Sequence, residues 1–77
     1  MKDGAPFQVV LFDSTSAALL AEKLLKQGGL PYKVIPVPRD ISSDCGVCIR
    51  FPSEKREEVE AALAAGRVSF REIRALI

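Results

Sequence analysis

Two stretches of helical periodicity, each ended by glycine and each flanked by short apolar runs, leave this chain few architectures to choose from. Phe7-Gln8-Val9-Val10-Leu11-Phe12 is β-rich and apolar enough for a central strand. Asp13, Ser14 and Thr15 then offer N-cap oxygens. Ala17, Leu20, Ala21 and Leu24 follow at offsets of three and four, the spacing of a buried helical stripe, while Glu22, Lys23, Lys26 and Gln27 take the wet side. Gly28-Gly29 ends the helix, because glycine accepts the left-handed conformation that a helix C-terminus commonly adopts.

Tyr32 to Val37 reads as a second strand, and since Pro36 cannot donate to a ladder, either the strand is a sheet edge or its last residues leave the sheet. Residues 38–44 are a loop by composition. Cys45 to Phe51 is a third strand, with Val47, Ile49 and Phe51 facing one way and Cys48 and Arg50 the other. Pro52-Ser53 opens the second helix with Ser53 as its cap; Val59, Ala62 and Leu63 form its buried side and Gly66 stops it. Arg56 and Glu60 are placed to pair across one turn. Val68–Ile73 reads as a fourth strand, although Arg71 to Ile77 also fits a short helix.

The order β-α-β-β-α-β predicts an α+β, ferredoxin-like sandwich: a four-stranded antiparallel sheet with two helices on one face. Residues 1–6 are an N-terminal tail and 7–77 a single domain. On strand 1 both faces carry apolar side chains, so a homodimer through the sheet face away from the helices is expected.

The charge pattern excludes several partners. Eleven basic against ten acidic residues give a net charge of +1, no electrostatic footprint for nucleic acid. No apolar run approaches the ~20 residues that span a bilayer, so no membrane is expected. The start, Met1-Lys2-Asp3-Gly4-Ala5-Pro6, has no apolar signal region, which points to a cytoplasmic protein with thiols rather than disulfides. The chain has two cysteines and no histidine. Cys–His and Ser–His nucleophile pairs and mixed Cys/His zinc sites are therefore excluded. No cofactor is expected.

Chemistry is thus left to the cysteines. Cys45 sits in a Ser/Asp/Gly-rich turn, after Arg39, Ser42 and Ser43 and before Gly46. In the expected topology the strand 1 to helix 1 turn, with Ser14 and Thr15, falls at the same end of the sheet. A helix N-terminus or a nearby cation can bring a thiol down from about 8.5 toward neutrality, and the thiolate is the reactive form. Asp44 would act against it. Cys45 also reads as a small buried hydrophobe, and Cys48 as a structural one. Cys45-Gly46-Val47-Cys48 matches C-x-x-C, but at a strand start three steps separate the Cα atoms by about 10 Å, beyond a disulfide's window of about 4.4–6.8 Å.

Three segments carry a resemblance: Phe12-Asp13-Ser14-Thr15 with Ala18-Leu19 and Glu22 to Lys26; Ile35-Pro36-Val37-Pro38-Arg39-Asp40-Ile41-Ser42-Ser43; and Cys45-Gly46 entering a strand that ends Ile49-Arg50-Phe51. Together they resemble the selenium/sulfur carrier-like family over roughly residues 7–74, with Pro-x-Pro-Arg followed by Ser-Ser-x-Cys-Gly as the specific part. The resemblance implies a carrier rather than an enzyme with its own turnover. Cys45 would hold sulfane sulfur or selenium as a persulfide or selenopersulfide, supported by Gly46, Arg39, Ser42, Ser43, Ser14 and Thr15. Cys48 would be a second thiol. A cysteine desulfurase or other donor, and an acceptor protein, are the expected partners. The chain departs from the family pattern in having Ser16 and Ala17 where a histidine often stands, and Cys48 where a small residue such as alanine is usual. Two other readings stay open: a non-catalytic interaction domain, and a thiolate metal site shared by a dimer.

Overall fold

A computed structural model of the chain describes residues 6–37 and 46–76. The elements run β1 (Phe7–Leu11), α1 (Thr15–Gln27), β2 (Lys33–Pro36), β3 (Val47–Pro52), a 3-10 turn (Ser53–Lys55), α2 (Arg56–Ala65) and β4 (Glu72–Leu76). The strands form one sheet in the order β2-β3-β1-β4, every neighbouring pair antiparallel. This is the ferredoxin-like α+β arrangement, with β1 and β3 central and the proline-bearing β2 at an edge.

The main core lies between sheet and helices. Val10, Phe12, Ile49 and Phe51 from the sheet side meet Ala18, Ala21 and Leu25 of α1 and Val59 and Leu63 of α2, all buried. The stripe of α1 is centred one residue later than its periodicity suggests. Ala18, Ala21 and Leu25 are buried, Ala17 and Leu24 pack at the margin, and Leu20 is turned outward. Leu20 misleads because it is apolar at the right spacing from Ala17 and Leu24, yet lies about 200° around the helix from Ala18.

Both helices end in the same hydrogen-bonded turn. After α1 the Gly29 N–H donates to the Lys26 carbonyl and the Leu30 N–H to that of Leu25. After α2 the Arg67 N–H donates to Ala64 and the Val68 N–H to Leu63. These are the paired bonds of a Schellman motif. The residue that takes the left-handed backbone is Gly29 (φ 71°) in the first and Arg67 (φ 56°) in the second. Gly66, the C-cap of α2, is therefore not glycine for the sake of a left-handed backbone. Its own φ is −88°, and a Cβ there would overlap the Leu24 side chain of α1. Its glycine lets the helices approach.

That turn also displaces the fourth strand. Val68 is buried as the apolar residue of the motif, and β4 starts only at Glu72, after the Arg71 N–H has bonded to the Leu11 carbonyl at 2.6 Å. Neither a strand from Val68 nor a helix from Arg71 forms. At the start of α2, Ser53 opens the 3-10 turn, and Lys55 occupies the cap position without a side-chain cap bond. Arg56 does pair with Glu60 (3.1 Å), and it also donates to the buried Gln8 of β1 at 3.4 Å. On the other flank the Tyr32 hydroxyl donates to Glu22 at 3.3 Å. Partial burial, and then the Glu22 carboxylate, hold that phenol above its ordinary pKa.

Candidate functional site

Strand register decides which residues share an end of the sheet. Leu11 of β1 lies opposite Cys48 of β3 and Glu72 of β4, and Cys48 opposite Ile35 of β2. The end of β1, the end of β2 and the starts of β3 and β4 are therefore together, as the topology requires. The ladder between β2 and β3 runs one pair further, the Val37 N–H donating to the Gly46 carbonyl at 3.2 Å. Val37 and Gly46 thus close the neck of the segment between them. Cys45, Arg39, Ser42 and Ser43 lie in that segment, outside the described residues.

Ser14 and Thr15 are brought to the same end. Ser14 is the N-cap of α1: its backbone is extended (φ −148°, ψ 155°) and its Oγ accepts the Ala17 N–H at 3.2 Å. Thr15 is the first helical residue, and both are exposed. The positive end of the α1 dipole thus faces the same rim as Gly46. Gly46 is exposed, and a Cβ built on it meets no described atom within 4 Å. Packing among the described residues does not demand glycine there.

Cys48 has a different setting. It is 0% exposed, on the sheet face away from the helices, in a small cluster with Val9 and Leu11, flanked by Ile35 and Val37. Its Sγ is 3.9 Å from the Pro36 carbonyl, the long contact of a weak S–H donor. Although no helix of the described residues covers this face, the thiol is closed off within one chain. It behaves as a small core residue of a strand.

The far end of that face carries a group the motifs gave no hint of. Lys33 of β2 lies opposite Arg50 of β3, and the Arg50 guanidinium stacks over the Phe7 ring of β1, 4.5 Å from its centroid. Seeing this needs the register of three strands. A sequence read strand by strand gives no signal of it.

A four-stranded ferredoxin-like sheet, with the α1 N-terminus and Gly46 at one end, defines a small α+β domain. The comparisons name the family. The chain matches the family described as "Putative Se/S carrier protein-like" over residues 8–74 and belongs to it. It is also 34% identical over 50 residues to "Uncharacterized protein YtiA" of Escherichia coli (strain K12), a stretch that covers 65% of this chain and 59% of that protein. The chain thus spans less than two thirds of this relative. No solved structure matches it. No helix among the described residues is long and apolar enough to cross a membrane.

Proposed function

We propose that this protein carries sulfane sulfur or selenium on Cys45. The observation that carries the reading is the contrast between the buried Cys48 and the exposed Gly46 at the entry to β3. Cys48 is sealed in the sheet, whereas Gly46, the residue bonded to Cys45, is exposed at the rim that holds the α1 N-terminus. Family membership supports the cargo. A shared metal site is the weaker reading, because Cys48 reaches a second chain only if the Val9–Leu11–Cys48 cluster opens.

The transfer is an exchange without net oxidation. The Cys45 thiolate attacks the outer sulfur of a donor persulfide, R–S–SH. The bond between the donor's two sulfurs breaks, a bond between Cys45 Sγ and the outer sulfur forms, and the donor leaves as its thiolate. The proton stays on the transferred sulfur. With R–S–SeH the same exchange gives a selenopersulfide, and attack by an acceptor thiolate on the outer atom returns Cys45. The positive end of α1 and the Arg39 cation favour the anionic forms of both thiol and product. Gly46 leaves the approach to the sulfur without a side chain.

Intact-mass spectrometry tests this after incubation with a cysteine desulfurase and cysteine. A gain of one sulfur that is lost in Cys45→Ser and retained in Cys48→Ala is expected. A gain that requires both cysteines contradicts a single-thiol carrier, and no gain in any form leaves an interaction domain as the better account.

A further inference from the structure

We infer that the groove at the Phe7–Lys33–Arg50 end of the sheet docks an extended acidic segment of a partner protein. This is independent of what Cys45 carries. The groove has a volume of about 230 Å³ and is lined by Phe7, Pro31, Tyr32, Lys33, Arg50, Phe51 and Pro52. Two like charges stand directly opposite across the β2–β3 ladder, an arrangement that destabilises a sheet unless something offsets it. Among the described residues neither Lys33 nor Arg50 has an ion-pair partner, although three other cations, Lys55, Arg56 and Arg74, each find a glutamate. The acid on this flank, Glu22, accepts from the Tyr32 hydroxyl. With a net charge of only +1, the pair is a local feature and not a sample of a basic surface.

Arg50 is also held in place. Its guanidinium carbon lies over the Phe7 ring, a contact that restrains the side chain, and an arginine fork is shaped to meet a carboxylate. The volume is below the roughly 300 Å³ at which clefts for small organic ligands begin, while arginine, tyrosine and phenylalanine are the residues enriched where proteins meet. The groove opens beside β2, an edge strand of the described sheet, where an extended segment can add main-chain bonds and set acidic side chains against Lys33 and Arg50. Pro36 blocks continued pairing at the other end of β2. Charge complementarity therefore selects an acidic segment, and the edge selects an extended one.

The test is a titration of the isotope-labelled full chain, followed by its amide spectrum at low salt. The probe is a capped pentapeptide alternating glutamate and phenylalanine, taken to about 1 mM, with its glutamine counterpart as control. The expected result is shifts confined to Phe7, Tyr32, Lys33 and Arg50. Binding should weaken about tenfold or more in the glutamine peptide, at raised salt, and in Arg50→Gln. Lys33→Gln changes an exposed edge residue outside the stack, so it reports on charge even if Arg50→Gln disturbs the sheet. Absent shifts, shifts elsewhere, or equal binding of the glutamine peptide would overturn the proposal. Sodium acetate producing the same shifts at the same concentration would also overturn it, in favour of a small-anion pocket.

Discussion

The two faces of the sheet are both dry at their centres, but they are closed by different means. On one, Phe12, Phe51, Leu25 and Leu63 interlock between sheet and helices. On the other, Val9, Leu11 and Cys48 are buried with no helix of the described residues above them, beside Ile35 and Val37. Aromatic side chains help fill the first cluster, whereas among the described residues the second holds only aliphatic side chains and a thiol. The second face is also divided along its strands: apolar at the Gly46 end, charged at the Lys33–Arg50 end. The lesson is that a helix-free face need not be a bare one. Val9 and Leu11, the apolar residues that suggest a dimer surface in the sequence, are 0% and 1% exposed within a single chain.

The sharpest way to break the comparison is to empty each face in turn. Phe51→Ala, on the helix side, is expected to cost about 3–5 kcal/mol, enough to unfold much of the population of so small a domain. Denaturant unfolding measures it, and a loss under 1 kcal/mol would mean the helices do not close that face as described. Relieving the helix contact comes next. Gly66→Ala should cost about 1–3 kcal/mol through overlap with Leu24, and Leu24→Ala in the same chain should recover part of it. Independent, additive effects would contradict the contact.

On the second face, Cys48→Ser is expected to cost about 1–3 kcal/mol and Cys48→Ala less, since a hydroxyl in that cluster needs a partner that a thiol hardly needs. Equal stability of both variants would show the cluster to be wet. Smaller still is Arg67→Gly, which relaxes the left-handed backbone and should stabilise by about 0.5 kcal/mol, while Gly29→Ala should destabilise by about 1 kcal/mol. Last, the Tyr32 phenol should titrate above an exposed tyrosine by ultraviolet absorbance, and move back down in Glu22→Gln. Its raised pKa gives a stabilisation present below the unfolded value and lost as pH climbs through the folded one, so the effect belongs to alkaline solution.

Much of this was legible in the sequence. Periodicity located both helices and apolar runs the two central strands, and of the two readings that Pro36 left open for β2 the edge position is the one found. What escaped has physical causes. Val68 and Phe70 alternate like a strand, but the turn after Gly66 takes Val68 into the helix core and postpones pairing to Glu72. Gly66 looked like a generic stop, because its contact with Leu24 spans two helices. At the site, residue type narrows the α1 cap to Asp13, Ser14 or Thr15, and the structure selects Ser14. The burial of Cys48 and the stack of Arg50 on Phe7 depend on register between strands that no local pattern encodes.

The central claim is that the two cysteines have different fates, one available for transfer and one part of the sheet. Alkylation of the folded protein at neutral pH, quenched over time and mapped to peptides, tests it most directly. The account predicts label on Cys45 in the native state and on Cys48 only as fast as the domain opens, so that denaturant accelerates the second alone. Label appearing on Cys48 first, or on both at one rate, would contradict it.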